Sequence, residues 1–178
     1  MSMRKLQLQE LNRMTSEEYK NAEKLPIIVV LDSIRSLNNV GSAFRTCDAL
    51  GVDEIYLCGI TGKPPHRDIQ KTAIGAQDVV KWSYFENIQD AIVQLKERGY
   101  KVVSVEQVEG SIKLNEWKME KTEKLALVFG NEVKGVNQEV VNESDYCLEI
   151  PQYGTKHSFN ISVSMGIVLW ESVKKYKF

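Results

Sequence analysis

Hydrophobic and polar positions follow two rhythms along this chain, one for strands and one for helices. Residues 27–31 (IIVVL) form a β-branched run opened by Pro26, which reads as a buried strand. Val40, Ala43, Phe44, Cys47 and Leu50 then recur at helical spacing, and Gly51 stops them. Residues 54–58 (EIYLC) return to a strand pattern. A loop over 59–68 follows, broken by glycines and the Pro64-Pro65 pair. Residues 79–82 are a short strand candidate. Asn87 looks like an N-cap for a helix whose apolar face is Ile88, Ala91, Ile92 and Leu95, with Gly99 as its stop. Strands are expected at 101–105 (KVVSV), 125–129 (LALVF) and 146–150 (YCLEI), with a short helix over 136–142. The last helix, over 160–175, carries Ile161, Val163, Met165, Ile167, Val168, Leu169 and Trp170. It is apolar on most sides, so it is either mostly buried or shared with a partner chain.

Short apolar strands alternating with helices predict an α/β fold: one domain with a mainly parallel sheet and helices on both faces. The length of 178 residues suits a single compact domain over 25–178, preceded by a charged N-terminal helix or arm over 1–24 with Arg4, Lys5, Arg13, Lys20 and Lys24. Apolar residues make up 43% and charged residues 26%, ordinary values for a globular chain. No apolar run reaches the roughly 18 residues of a membrane span, and the N-terminus lacks the apolar core of a secretory signal. The net charge of −1 excludes a uniformly basic binder but allows a local basic patch. Cys47, Cys58 and Cys147 are widely spaced and read as small core residues in a reducing compartment, with the cytoplasm expected. With two histidines in the chain, no metal site is expected.

Ligands of open α/β sheets bind beyond the carboxyl ends of the strands, and three segments there hold unusual residues. The first is 32–45 (DSIRSLNNVGSAFR). Two asparagines and Gly41 are expected to precede a helix start, with Gly41, Arg45 and Asp48 on its polar face; a capped helix with an exposed arginine is the plainer reading. The second is 129–135 (FGNEVKG), where Gly130 follows a strand directly and leaves room for a ligand beside the backbone. The third is 150–161 (IPQYGTKHSFNI), where Ser158 is either a functional hydroxyl or simply an N-cap. The chain has no GxGxxG after a strand, no GxxxxGK[ST], no HExxH and no GxSxG. Dinucleotide, P-loop, zinc-protease and serine-hydrolase chemistry therefore lack their markers. Basic side chains crowd these loops and their neighbours: Arg35, Arg45, Lys63, His66, Arg67, Lys71, Lys134, Lys156 and His157. They are candidates for phosphate contact, with a scatter of solvated charges as the alternative.

Taken together, the three segments resemble the SpoU/TrmH family of RNA ribose 2′-O-methyltransferases. The first motif is NVGSAFR from Asn39 to Arg45 with Ala49, Leu50 and Gly51 after it. The second is FGNE up to Glu132 with Gly135, and the third is IPQYG from Ile150 followed by SFNISVSMG from Ser158. Residues 71–76 (KTAIGA) resemble a stretch between the first two motifs, and the likeness runs from about residue 26 to 171. Any one motif is weak; three in order at family spacing are strong. The resemblance implies a deep C-terminal trefoil knot, a homodimer, S-adenosylmethionine as methyl donor, and a ribose 2′-hydroxyl in tRNA or rRNA as acceptor, tRNA being favoured. It implies a polar catalytic set of Asn39, Arg45, Glu132, Ser158 and Asn160. Gly130, Ile150, Ser158 and Phe159 would be cofactor-loop positions, with Val105 and Glu106 as the remaining wall. The RNA would meet Arg35, Arg45, Lys63, Arg67, Lys71, Lys156 and His157. Phe159 stands where leucine is usual, which should tune the cofactor wall rather than abolish it. The alternatives are a catalytically inactive RNA-binding module on this fold, and a small-molecule methyltransferase, which would not need the basic loops.

Overall fold

The computed structural model describes residues 3–178. In chain order its elements are α1 (Ser16–Asn21), β1 (Leu25–Asp32), α2 (Leu37–Leu50), β2 (Val52–Cys58), α3 (Arg67–Ala73), β3 (Lys81–Phe85), α4 (Ile88–Glu97), β4 (Lys101–Val105), β5 (Ile112–Lys113), β6 (Leu125–Phe129), α5 (Gln138–Glu143), β7 (Tyr146–Glu149) and α6 (Ile161–Lys177). The strands form one sheet in the order β3-β2-β1-β6-β4-β7-β5. Every pairing between these strands is parallel.

β1 shows why the sheet needs cover on both sides. Ile27, Val29 and Leu31 pack with α2, α3 and α6, whereas Ile28 and Val30 point the other way into a second cluster with α4 and α5. All five are essentially inaccessible, and burying each such side chain contributes about 1.5–3 kcal/mol. All three cysteines are buried and free. Among the described residues, no helix is long and apolar enough to cross a membrane.

Four local expectations are corrected. The strand expected over 79–82 lies at Lys81–Phe85, because the amides of Val79 and Val80 close a turn onto the Ala76 carbonyl and so cannot join the ladder. As the sheet's edge, β3 is only half-buried and carries no apolar run to mark it. The segment after Pro65 is not all loop: it holds α3, whose buried side chains are only Ile69 and Ala73. That helix changes the reading of Gly41, which is buried beneath α3 rather than displayed with Arg45. A Cβ there would lie 2.1 Å from Thr72 Oγ1 and 2.3 Å from the Ile69 carbonyl oxygen. Finally, the N-terminal segment is not one helix but a 3-10 turn (Leu8–Leu11) and the six-residue α1. Thr15 and Glu18 form a capping box on α1, and Tyr19 ties it to the core by donating to the Cys47 carbonyl at 3.5 Å.

Candidate active site

The register Leu31↔Phe129 sets the loops that leave β1 and β6 side by side. Asn131 fixes the second loop. Its Nδ2 donates to the Ser33 carbonyl at 2.7 Å, and its Oδ1 accepts from the Val133 and Lys134 amides at 2.9 and 3.1 Å. Glu132 is thereby aimed at the first loop. Its carboxylate accepts from the Arg35 amide at 3.0 Å, the Ser36 amide at 3.0 Å and Asn39 Nδ2 at 3.2 Å. Burial works to raise the Glu132 pKa, but these donors outweigh it, with help from its own amide, and hold the group below the usual carboxylate value.

Asn39 carries the contact onward. Its Oδ1 accepts from Asn160 Nδ2 at 3.3 Å, while Asn160 Oδ1 caps α6 by accepting from the Ser162 amide at 2.9 Å. Three sequence-predicted residues, Glu132, Asn39 and Asn160, thus form one hydrogen-bonded chain across all three loops. Two expectations about capping change here. Ser36 caps α2, so Asn38, Asn39 and Gly41 lie inside that helix rather than before it. Asn160 caps α6, so Ser158 is not needed as a cap.

Beneath this chain lies a cavity of about 650 Å³. Val105, Glu106, Gly130, Ile150, Ser158 and Phe159 all line it, together with Glu132 and Asn160. Glu106 does more than form a wall. Its carboxylate accepts from the Gln107 amide at 2.9 Å and the Val136 amide at 3.0 Å, which ties the end of β4 to the second loop. Gly130 also has a role within its own loop. A Cβ there would come within 2.1 Å of the backbone at Gly135 and Val136, so the glycine lets the loop close on itself through the paired bridge Asn131↔Gly135. Gly135 has φ +70°, and a side chain there would strike the Glu106 carboxylate.

Arg45 is not brought into this cluster. It is exposed on α2, lies outside the cavity lining, and has no hydrogen bond or ion pair among the described residues. The basic candidates fall into separate exposed groups. Arg35 sits beside Glu132, Lys156 and His157 are on the third loop, Arg67 and Lys71 are on α3, and Lys63 is in the loop before it. Lys63 lies 3.7 Å from the Tyr84 ring centre. His66 caps α3 by accepting from the Asp68 amide through Nδ1. Sequence reasoning passed over three positions that build the site: Ser36, Asn131 and Gln107. Ser36 and Asn131 had the composition of a cap and a turn. Gln107, whose Nε2 donates to the His157 carbonyl at 3.1 Å, had no local signal.

Three interlocked strand-end loops close over one cavity of a parallel sheet, and sequence comparison identifies the class: the chain belongs to the SpoU rRNA methylase family, whose profile matches residues 26–170. Among curated relatives, a tRNA (guanosine(18)-2′-O)-methyltransferase of Aquifex aeolicus is 32% identical over 84% of this chain and 69% of its own length. Its counterpart from Thermus thermophilus is 30% identical over 93% of this chain and 84% of its own. The crystal structure of the A. aeolicus TrmH/SpoU tRNA modifying enzyme superposes with a TM-score of 0.79 at 29% identity, covering 90% of this chain and 80% of that one. An AdoMet-bound rRNA methyltransferase from Sinorhizobium meliloti gives 0.79 at 26% identity, over 90% of this chain and 60% of that one.

Proposed function

We propose that this chain transfers a methyl group from S-adenosylmethionine to a ribose 2′-hydroxyl of RNA, with tRNA the favoured substrate. The carrying observation is the Glu132–Asn39–Asn160 chain, which locks three loops around one cavity. The cavity suits the donor. Val105, Ile150 and Phe159 would offer apolar walls to an adenosine, and the carboxylates of Glu106, Glu132 and Glu149 in the same lining would favour a cationic sulfonium. A pyrophosphate would meet the same three carboxylates unfavourably, since the only cationic side chain of the lining is Lys134. When bound, the donor supplies an electrophilic methyl group on sulfur.

The chain's own residues supply alignment and charge. The backbone of the second and third loops would hold the donor, and Ser158 and Asn160 line the same space. Glu132 is occupied by three donors and held anionic, so it keeps Asn39 in place rather than taking the acceptor's proton. Among the described residues Arg45 has no partner to give up. We assign it to the acceptor's phosphate and to the developing alkoxide, the bidentate role its fork suits. Positioning of this kind accounts for up to about 7–11 kcal/mol of a barrier. Arg35, Lys63, Arg67, Lys71, Lys156 and His157 form the RNA-facing rim, and residues 1–24 are an arm outside the catalytic domain.

Further readings belong to the same proposal. The working unit is a homodimer: Val163, Ile167 and Trp170 recur at helical spacing on α6 and stay 48, 36 and 51% exposed, an apolar stripe that a second copy would cover. The C-terminal part is a deep trefoil knot, a reading that rests on membership of the SpoU family. The cytoplasm, where tRNA is modified, is the working compartment. The test is transfer of labelled methyl from S-adenosylmethionine to unmodified tRNA and to ribosomal RNA, with the product nucleoside mapped by mass spectrometry. A 2′-O-methyl nucleoside in tRNA is expected. Donor binding without transfer to any RNA would instead establish an inactive binding module.

A further inference from the structure

The chain has seven tyrosines, and six of them have work within the fold. Tyr19, Tyr56, Tyr84, Tyr100 and Tyr176 each donate their hydroxyl to a carbonyl or side-chain oxygen, and Tyr146 accepts from Trp117 Nε1. Tyr153 has no hydrogen-bond partner among the described residues and is 96% exposed. A fully solvated aromatic ring gives the folded state nothing, so its presence is not explained by stability.

Its position is specific. Tyr153 sits on the third loop between Pro151 and Gly154, and its neighbour Gln152 lines the cavity, as do Ser158 and Phe159 further along. Lys156 and His157, both exposed, follow on the same loop. Across the cavity the second loop repeats the pairing of apolar and cationic surface, with Val133 74% exposed beside Lys134. An exposed ring flanked by cations is how proteins hold unpaired nucleic acid: bases stack on aromatics and phosphates meet the charges.

We propose that Tyr153 is a stacking platform for an unpaired nucleobase beside the acceptor ribose. This rests on the RNA methyl-transfer reading and deepens it. Tyr153 is a positioning residue: it touches RNA, but not the reacting oxygen. A stacked base would fix the nucleotide's rotation about its backbone and so present its 2′-hydroxyl to the cavity. The ring reads no base edge, so the preference it imposes is for an unpaired nucleotide rather than for a particular base.

The experiment compares the full-length parent with Tyr153→Phe and Tyr153→Ala, using total tRNA from cells lacking this enzyme. Losing one base–aromatic stack should weaken tRNA binding by about 5- to 140-fold in Tyr153→Ala. Tyr153→Phe should stay within about twofold of the parent. Three readouts should not move in Tyr153→Ala: the melting temperature, the affinity for S-adenosylhomocysteine, and the slope of log K against log salt. A lost phosphate contact would flatten that slope; a lost stack would not. Parent-like tRNA affinity in Tyr153→Ala would overturn the proposal, as would a phenylalanine variant as weak as the alanine. A shift of Tyr153→Ala from dimer to monomer in sedimentation velocity would also overturn it, by placing the ring in a subunit interface. If the parent binds donor yet methylates no RNA, the enzyme reading itself fails and this proposal with it. An active parent with an unchanged alanine variant would fail only this proposal.

Discussion

Replacing Glu132 by glutamine separates the two jobs this residue could have. Glu132 Oε1 accepts from the Ser36 amide and Asn39 Nδ2, and Oε2 accepts from the Arg35 amide. Glutamine keeps one carbonyl oxygen and sets an NH₂ against a donor. One bond is lost and two fall from charge-assisted to neutral strength. Bonds to charged groups contribute about 1.5–3 kcal/mol and neutral ones about 0.5–1.5 kcal/mol. Glu132 is solvent-accessible, so water reduces the loss to about 1–2 kcal/mol. For a chain of this length that is a fall in Tm of about 2–8 °C, read by calorimetry without ligand. The pH dependence has a definite sign. The folded pKa lies below the unfolded one, so the parent's advantage over Glu132→Gln is fully present above about pH 4.3, the unfolded value. It fades as pH falls through the folded pKa. Asn39→Ala should couple to Glu132→Gln by at least about 0.5 kcal/mol in a double-mutant cycle. An unchanged Tm, together with loss of the acid limb of the parent's pH–rate profile, would refute the positioning role and make Glu132 the proton acceptor.

Gly130→Ala should lower Tm in the absence of any ligand, by an overpacking cost of about 1–3 kcal/mol, because its Cβ meets backbone at 2.1 Å; a variant with parental Tm and lost donor affinity in calorimetric titration would place the collision in the donor's space instead. Asn160→Asp should keep the α6 cap but lose the donor to Asn39, retaining Tm while losing transfer rate, whereas Asn160→Ala should also lose about 0.5–2 kcal/mol of stability in urea unfolding. Arg45→Ala should leave Tm within about 0.5 kcal/mol of the parent and donor affinity intact, while single-turnover transfer falls by orders of magnitude and Arg45→Lys retains a measurable rate. Arg67→Ala and Lys71→Ala should each flatten the salt dependence of RNA binding by about 0.7–0.9, if each meets one phosphate, as measured by filter binding.

The sheet was legible because a doubly covered parallel strand leaves a plain mark: Ile27 to Leu31 has no polar position to misread. Edge elements left none. β3 is half-exposed and β5 is two residues long, so neither carries an apolar run. α3 was hidden for a similar reason, and with it the burial of Gly41. At the site, motif likeness brought Asn39, Glu132 and Asn160 forward, but it could not say that they touch. Their contacts depend on register between strands far apart in sequence. Nor could local pattern say that Gly130 also makes room for its own loop.

The separations inside the site have a consequence for when it exists. Asn39 is 93 residues from Glu132 and 121 from Asn160, yet both bonds belong to one chain of contacts. No early fragment of the polypeptide can assemble that arrangement. A nascent chain can build β1, α2 and β2 as a local unit, but Asn39 Nδ2 then waits for Glu132, and its Oδ1 waits until the last helix begins. Such long-range closure is slow relative to local folding and falls near the end of the process. The three-loop arrangement therefore closes in one late step, and partly made chains carry the basic loops without it.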